Sequence, residues 1–163
     1  MEYHWGPTVK GHTTLYSDDA VGGSTEVAVF TDGDEWIARP PEAANWHYVC
    51  DDGKSLAKTN QVTVTCGHTF TLDNESRSDW VILDAAGEYL GQFTGVNRGA
   101  RQSRVTFDDS AFATGAVTPS EAAYVAWVAR KLLTSSLGHN TAIVTVALLT
   151  VTIIGLFIAS FFY

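Results

Sequence analysis

Apolar and polar residues alternate along most of the first 110 positions of the chain. Gln61–Cys66 alternates strictly, with Val62 and Val64 between polar neighbours, the mark of a half-buried strand. Phe70 and Leu72 continue that rhythm. Val27 and Val29 alternate with Ala28 and Phe30, and Asp32-Gly33 then supplies a hairpin turn into Trp36, Ile37 and Ala38. Pro40 and Pro41 end that pair, because proline has no N–H to give a ladder. A further strand is predicted from Trp46 to Cys50, before a turn at Asp51, Asp52 and Gly53. Residues 80–83 and 89–93 flank a four-residue loop at 84–87, and Arg104–Phe107 is the last strand. About seven short strands with frequent turns predict a mainly β fold, a small antiparallel β-sandwich or barrel. Residues 1–24 show little periodicity. They read as an N-terminal arm pinned to the domain by Tyr3, Trp5, Leu15 and Tyr16, with a loop at 17–24.

The rhythm changes at Thr118. Thr118 as N-cap, Pro119 at the first helical position and Glu121 at the third form a capping-box signature. Val125, Val128, Ala129, Leu132 and Leu133 then share one face at helical spacing. This predicts an amphipathic helix over 118–138, ended near Gly138. Two placements are open for it: against the β domain, or at a membrane surface with Tyr124 and Trp127 at headgroup level and Arg130 and Lys131 near lipid phosphates. Residues 141–163 then run without a charge. As a helix they would reach roughly 34 Å at about 1.5 Å per residue, enough to cross a hydrocarbon core of about 30 Å. The chain therefore divides into 1–117, a β-rich soluble domain with its arm; 118–138, a helix; and 141–163, a transmembrane helix. With no signal-peptide pattern at the start and the span at the end, the expected topology is a single-pass tail anchor. Arg130 and Lys131 place the soluble domain on the cytoplasmic side.

Charge is unevenly spread. Residues 1–97 hold 15 acids against 5 bases, and 98–131 hold 3 against 5, within a net charge of −8. An acidic surface repels phosphates, so nucleic acid is not an expected partner. It suits solubility at high salt, where close charges are screened, and so a salt-loving host. Arg98, Arg101 and Arg104 form the one concentrated positive stretch, a docking spot for an acidic protein or lipid headgroups. Trp127, Arg130 and Lys131 join it as partner- or lipid-binding candidates.

Two pairs of metal-ligand residue types occur, His47 with Cys50 and Cys66 with His68. Zinc takes four N or S ligands in two close pairs, so neighbouring strands could build a site, although the gap between Cys66 and His68 is short. A Cys50–Cys66 disulfide and two separate thiols are the other readings. No nucleophile elbow, phosphate loop or triad signature appears. Catalytic residues, a cofactor, a resident metal and a small-molecule substrate are accordingly not expected, and the chain is not expected to be an enzyme. A membrane-bound metal or redox carrier built on His47, Cys50, Cys66 and His68 is the alternative.

The acidic, lysine-poor composition, the β domain, the amphipathic helix and a span ending at Phe161, Phe162 and Tyr163 together resemble a small structural membrane protein of an internal-membrane icosahedral virus of haloarchaea. The resemblance implies a capsid–membrane component, lying between the internal membrane and the capsid. Its partners would be the bilayer and other structural proteins of a large assembly. Exposed aromatics such as Trp5, Trp36 or Trp46 would carry the binding if they cluster on one face.

Overall fold

The computed structural model describes residues 1–18, 22–31, 35–37, 39–51, 53–76, 79–95 and 104–135. The strands in them are β1 (Glu2–Trp5), β2 (His12–Asp18), β3 (Ser24–Thr31), β4 (Trp36–Ile37), β5 (His47–Cys50), β6 (Gln61–Cys66), β7 (His68–Ser76), β8 (Asp79–Leu83), β9 (Tyr89–Thr94) and β10 (Arg104–Phe107). A 3-10 turn, Pro41–Asn45, stands between β4 and β5. A short helix, α1 (Asp109–Ala113), and a long one, α2 (119–135), follow β10.

All ten strands form one antiparallel sheet, ordered β4-β3-β2-β1-β10-β9-β8-β7-β6-β5. From β1 the chain order runs outward both ways, so the strands follow one another round a ring. The β1–β10 pair joins its two halves, with Tyr3 opposite Val105. Among the described residues no ladder links β4 to β5, and aromatic side chains fill that seam. Trp36 and Trp46 lie 6.4 and 5.5 Å from the ring of Tyr124, and Arg39 caps the same ring while donating to the carbonyls of Ala43 and Trp46.

The inward face of the sheet follows the strand period of two. Tyr3, Leu15, Phe30, Val62, Val64, Phe70, Leu72, Ile82, Phe93, Val105 and Phe107 are all almost wholly buried. They surround α2. Its residues 121–126 are buried in unbroken succession, more than one full turn, so that stretch leaves no face to solvent; further along, Trp127, Arg130 and Lys131 are half-buried and Thr134 is exposed on one side. Around its circumference Tyr124 meets β4, Trp127 stacks on Phe30 of β3 and meets Tyr48 of β5, Arg130 covers Trp5 of β1, and Leu133 lies beside Gly95 after β9. Ala122, Ala123, Ala126 and Ala129 keep the helix narrow enough to be wrapped.

Three expectations are narrowed or changed here. Residues 1–18 are not an arm. They supply β1 and β2, in the middle of the sheet, because Tyr3 with Trp5 and Thr13 with Leu15 do alternate inward. Of the two placements open for the helix, it takes the one against the β domain: the sheet wraps it and shares its core, with Arg130, Lys131 and Thr134 on its less buried side. Of the sandwich or barrel expected, the sandwich is excluded among the described residues: they form one antiparallel sheet wrapped round a helix, without a second sheet facing it. Among the described residues no helix is long and apolar enough to cross a membrane, and the expected span at 141–163 lies outside them.

Candidate functional site

The start of α2 is built from the expected capping box. The Glu121 N–H donates to Thr118 Oγ1 at 3.3 Å, and Glu121 Oε2 accepts from the Thr118 N–H at 2.9 Å and its hydroxyl at 2.8 Å. The other oxygen leaves the helix. Glu121 Oε1 accepts the backbone N–H of His68 at 2.7 Å and lies 3.0 Å from His68 Nδ1. His68 follows a one-residue turn at Gly67, where φ is +64° and an added Cβ would press on Glu121 Oε1. Glycine there lets β6 reverse into β7 against the helix cap.

Glu121 is 3% exposed, and its charge is held by these donors. Burial pushes its pKa up, but the backbone N–H groups of His68 and Thr118, then the Thr118 hydroxyl and the His68 ring, outweigh it. The carboxyl stays below its ordinary value. A surface cleft of about 700 Å³ opens here, lined by Glu42, Trp46, Thr65, His68, Ser120 and Glu121. The imidazole is half exposed and oriented by a carboxylate, as in a proton-transferring dyad. The same carboxylate also joins helix to sheet, Oε2 holding the Thr118 cap and Oε1 the His68 backbone.

The four candidate metal ligands are not brought together. Cys50 stands opposite Val62 and His47 opposite Thr65. Cys50 therefore sits about four residues along β6 from Cys66, roughly 13 Å at strand rise, too far for a disulfide. The two thiols are not bridged. Alternation also parts the set: His47 is exposed on the outside of β5, and Cys66 is buried inside. Among the described residues no group of three or more His, Cys, Asp and Glu could hold a metal ion. Burial first, and the charge of Glu121 second, push the Cys66 thiol up to about 12, leaving it protonated and inert.

The basic candidates fall as follows. Arg104 opens β10, exposed, and pairs with Glu2 at 3.0 Å. Arg98 and Arg101 lie outside the described residues. Trp127, Arg130 and Lys131 are half-buried in the last turns of α2. Arg130 stacks 4.4 Å above the ring of Trp5, and Lys131 lies 4.5 Å from that of Trp127. Each aromatic face receives a cation, which is how α2 keeps two charges within an apolar wrap. Trp5 is buried under Arg130, and Trp36 and Trp46 fill the seam, so these indoles do not form an exposed binding face.

No protein-family model, curated protein or solved structure matches the chain.

Proposed function

We propose that the chain is a membrane-anchored structural subunit that ties neighbouring proteins of a large assembly to a lipid bilayer. One observation carries the reading. The helix that leads the chain toward the uncharged segment 141–163 is enclosed by the sheet and cross-bonded to it at Glu121. A flexible tether would need no such grip. Seating the helix inside the domain fixes, at residue 135, the point from which the chain runs on toward 141–163. The soluble domain lies on the cytoplasmic side, by the placement of Arg130 and Lys131. In the form its design resembles, the assembly is a virion, and the domain stands between internal membrane and capsid.

The test is sedimentation of the native particle before and after mild detergent. Co-sedimentation with a large protein–lipid particle in fixed ratio supports the reading, and a small micelle holding this chain alone refutes it. Deleting 141–163 should leave the sheet and α2 folded while abolishing incorporation. Normal incorporation of that deletion would show that anchoring is not its role.

A further inference from the structure

We propose that the end of the domain toward which α2 runs, where Leu133 meets Gly95, is a docking face for anionic lipid headgroups. The inference rests on the membrane-anchored reading and adds to it a lipid class and an orientation.

The antiparallel registers fix which connections share each end. α2 begins at the β6–β7 turn, where Glu121 meets Gly67 and His68, and its described residues run to 135, with Leu133 beside Gly95, where β9 ends. Among the described residues, the connections at the cap end carry Glu42, Asp84, Glu88, Asp108 and Asp109. Against these stand the Met1 ammonium, paired with Asp109, and Arg39, whose guanidinium is turned onto the Ala43 and Trp46 carbonyls. At the exit end the balance reverses. The β1–β2 and β5–β6 connections carry Lys10, Lys54 and Lys58 against Asp51, and Glu35 is the acid described between β3 and β4. Arg130 and Lys131 add to this end from α2, while Glu75 and Asp79 flank it on the strands. All four lysines of an acidic chain thus gather where the chain leaves toward 141–163.

The β1–β2 tip adds a second observation. Lys10 and Gly11 form the two-residue turn between Val9 and His12, with φ of 52° and 78°. Such a turn ordinarily takes Asn or Gly at its first position, so a lysine there is strained. Its neighbour Val9 is 59% exposed. An apolar tip beside a lysine fits a headgroup layer, where the methyls meet acyl chains and the ammonium meets phosphate. The acidic cap end is repelled from the same surface, which sets the domain upright.

The experiment uses the full chain in nanodiscs of phosphatidylcholine, with and without phosphatidylglycerol, and reads amine acylation by mass spectrometry. Lys10, Lys54 and Lys58 should react on the order of fivefold more slowly on the anionic discs, the equivalent of the attraction each basic residue gains near such a surface. The contrast should shrink at about 1 M salt, where the screening length is about 3 Å. The Met1 amine, held by Asp109 at the cap end, is the internal control and should react alike on both. Equal lysine rates on the two discs, with the chain retained in both, would overturn the docking face and leave the anchor standing. Failure of the chain to stay with either disc would overturn the anchor and the docking face with it.

Discussion

Replacing Glu121 by glutamine tests whether the joint between α2 and the sheet is what holds this domain together. Glutamine keeps the shape but turns one acceptor oxygen into an NH2 group. Whichever way the amide faces, a backbone N–H, that of His68 or of Thr118, meets a donor. A buried donor left unmet costs about 1–3 kcal/mol, and the lost charge-assisted bonds add to it. We expect a deficit of about 2–3 kcal/mol at neutral pH, a fall in Tm of roughly 10 °C for a domain of this size. The pH dependence separates this from a general packing defect. The folded pKa of Glu121 is depressed, so its contribution is complete above the unfolded value of about 4.3 and is lost as pH falls through the lower folded value. Below that, the wild-type side chain is itself neutral, and the two proteins should converge. Thermal unfolding of both, followed by circular dichroism in one detergent between pH 7 and pH 3, is the assay. A deficit under 0.5 kcal/mol at pH 7, on the order of an ordinary surface substitution, or a deficit that does not shrink in acid, would refute the reasoning.

Two further outcomes are expected. Gly91→Ala puts a Cβ against the Thr106 carbonyl of β10 and should destabilise by about 1–3 kcal/mol, measured by urea unfolding; a neutral result would show the β9–β10 pair to be looser than described. Maleimide should leave Cys66 unlabelled until the chain is unfolded, and oxidant should give no intramolecular disulfide; rapid labelling of Cys66 in the native protein would contradict its burial.

Most strands were legible because their pattern is local. Gln61–Cys66 and the hairpin at 84–87, where Asp84 Oδ1 accepts the N–H groups of Ala86 and Glu88, need only neighbouring residues to declare themselves. The helix start was legible for the same reason, since Thr118 and Glu121 are three apart. What stayed hidden depends on distance in the chain. The β1–β10 pair joins residues about a hundred positions apart, and no local pattern announces it. The second face of α2 was misread because it is made of alanines, which weigh little in a hydrophobic pattern although they pack closely. Its two cations were read as lying near lipid phosphates, and the rings of Trp5 and Trp127 receive them. The joint at Glu121 was half legible: the cap could be read, but not the His68 backbone that shares it. His47, Cys50, Cys66 and His68 misled because ligand spacing was judged without the four-residue register offset between β5 and β6.

The enclosed helix also sets an order of events during synthesis. The ten strands occupy residues 1–107, and α2 comes after them. Each of these strands has therefore left the ribosome before the segment that fills their common interior. Until residues 119–135 emerge, the aromatic and aliphatic lining of the sheet has no partner, and a half-made chain is a trough of exposed Phe, Val and Leu. Such a nascent chain is prone to aggregation and is a natural client for a holding chaperone. Maturation would then be a single late insertion, in which the helix enters the sheet and the trough closes over it.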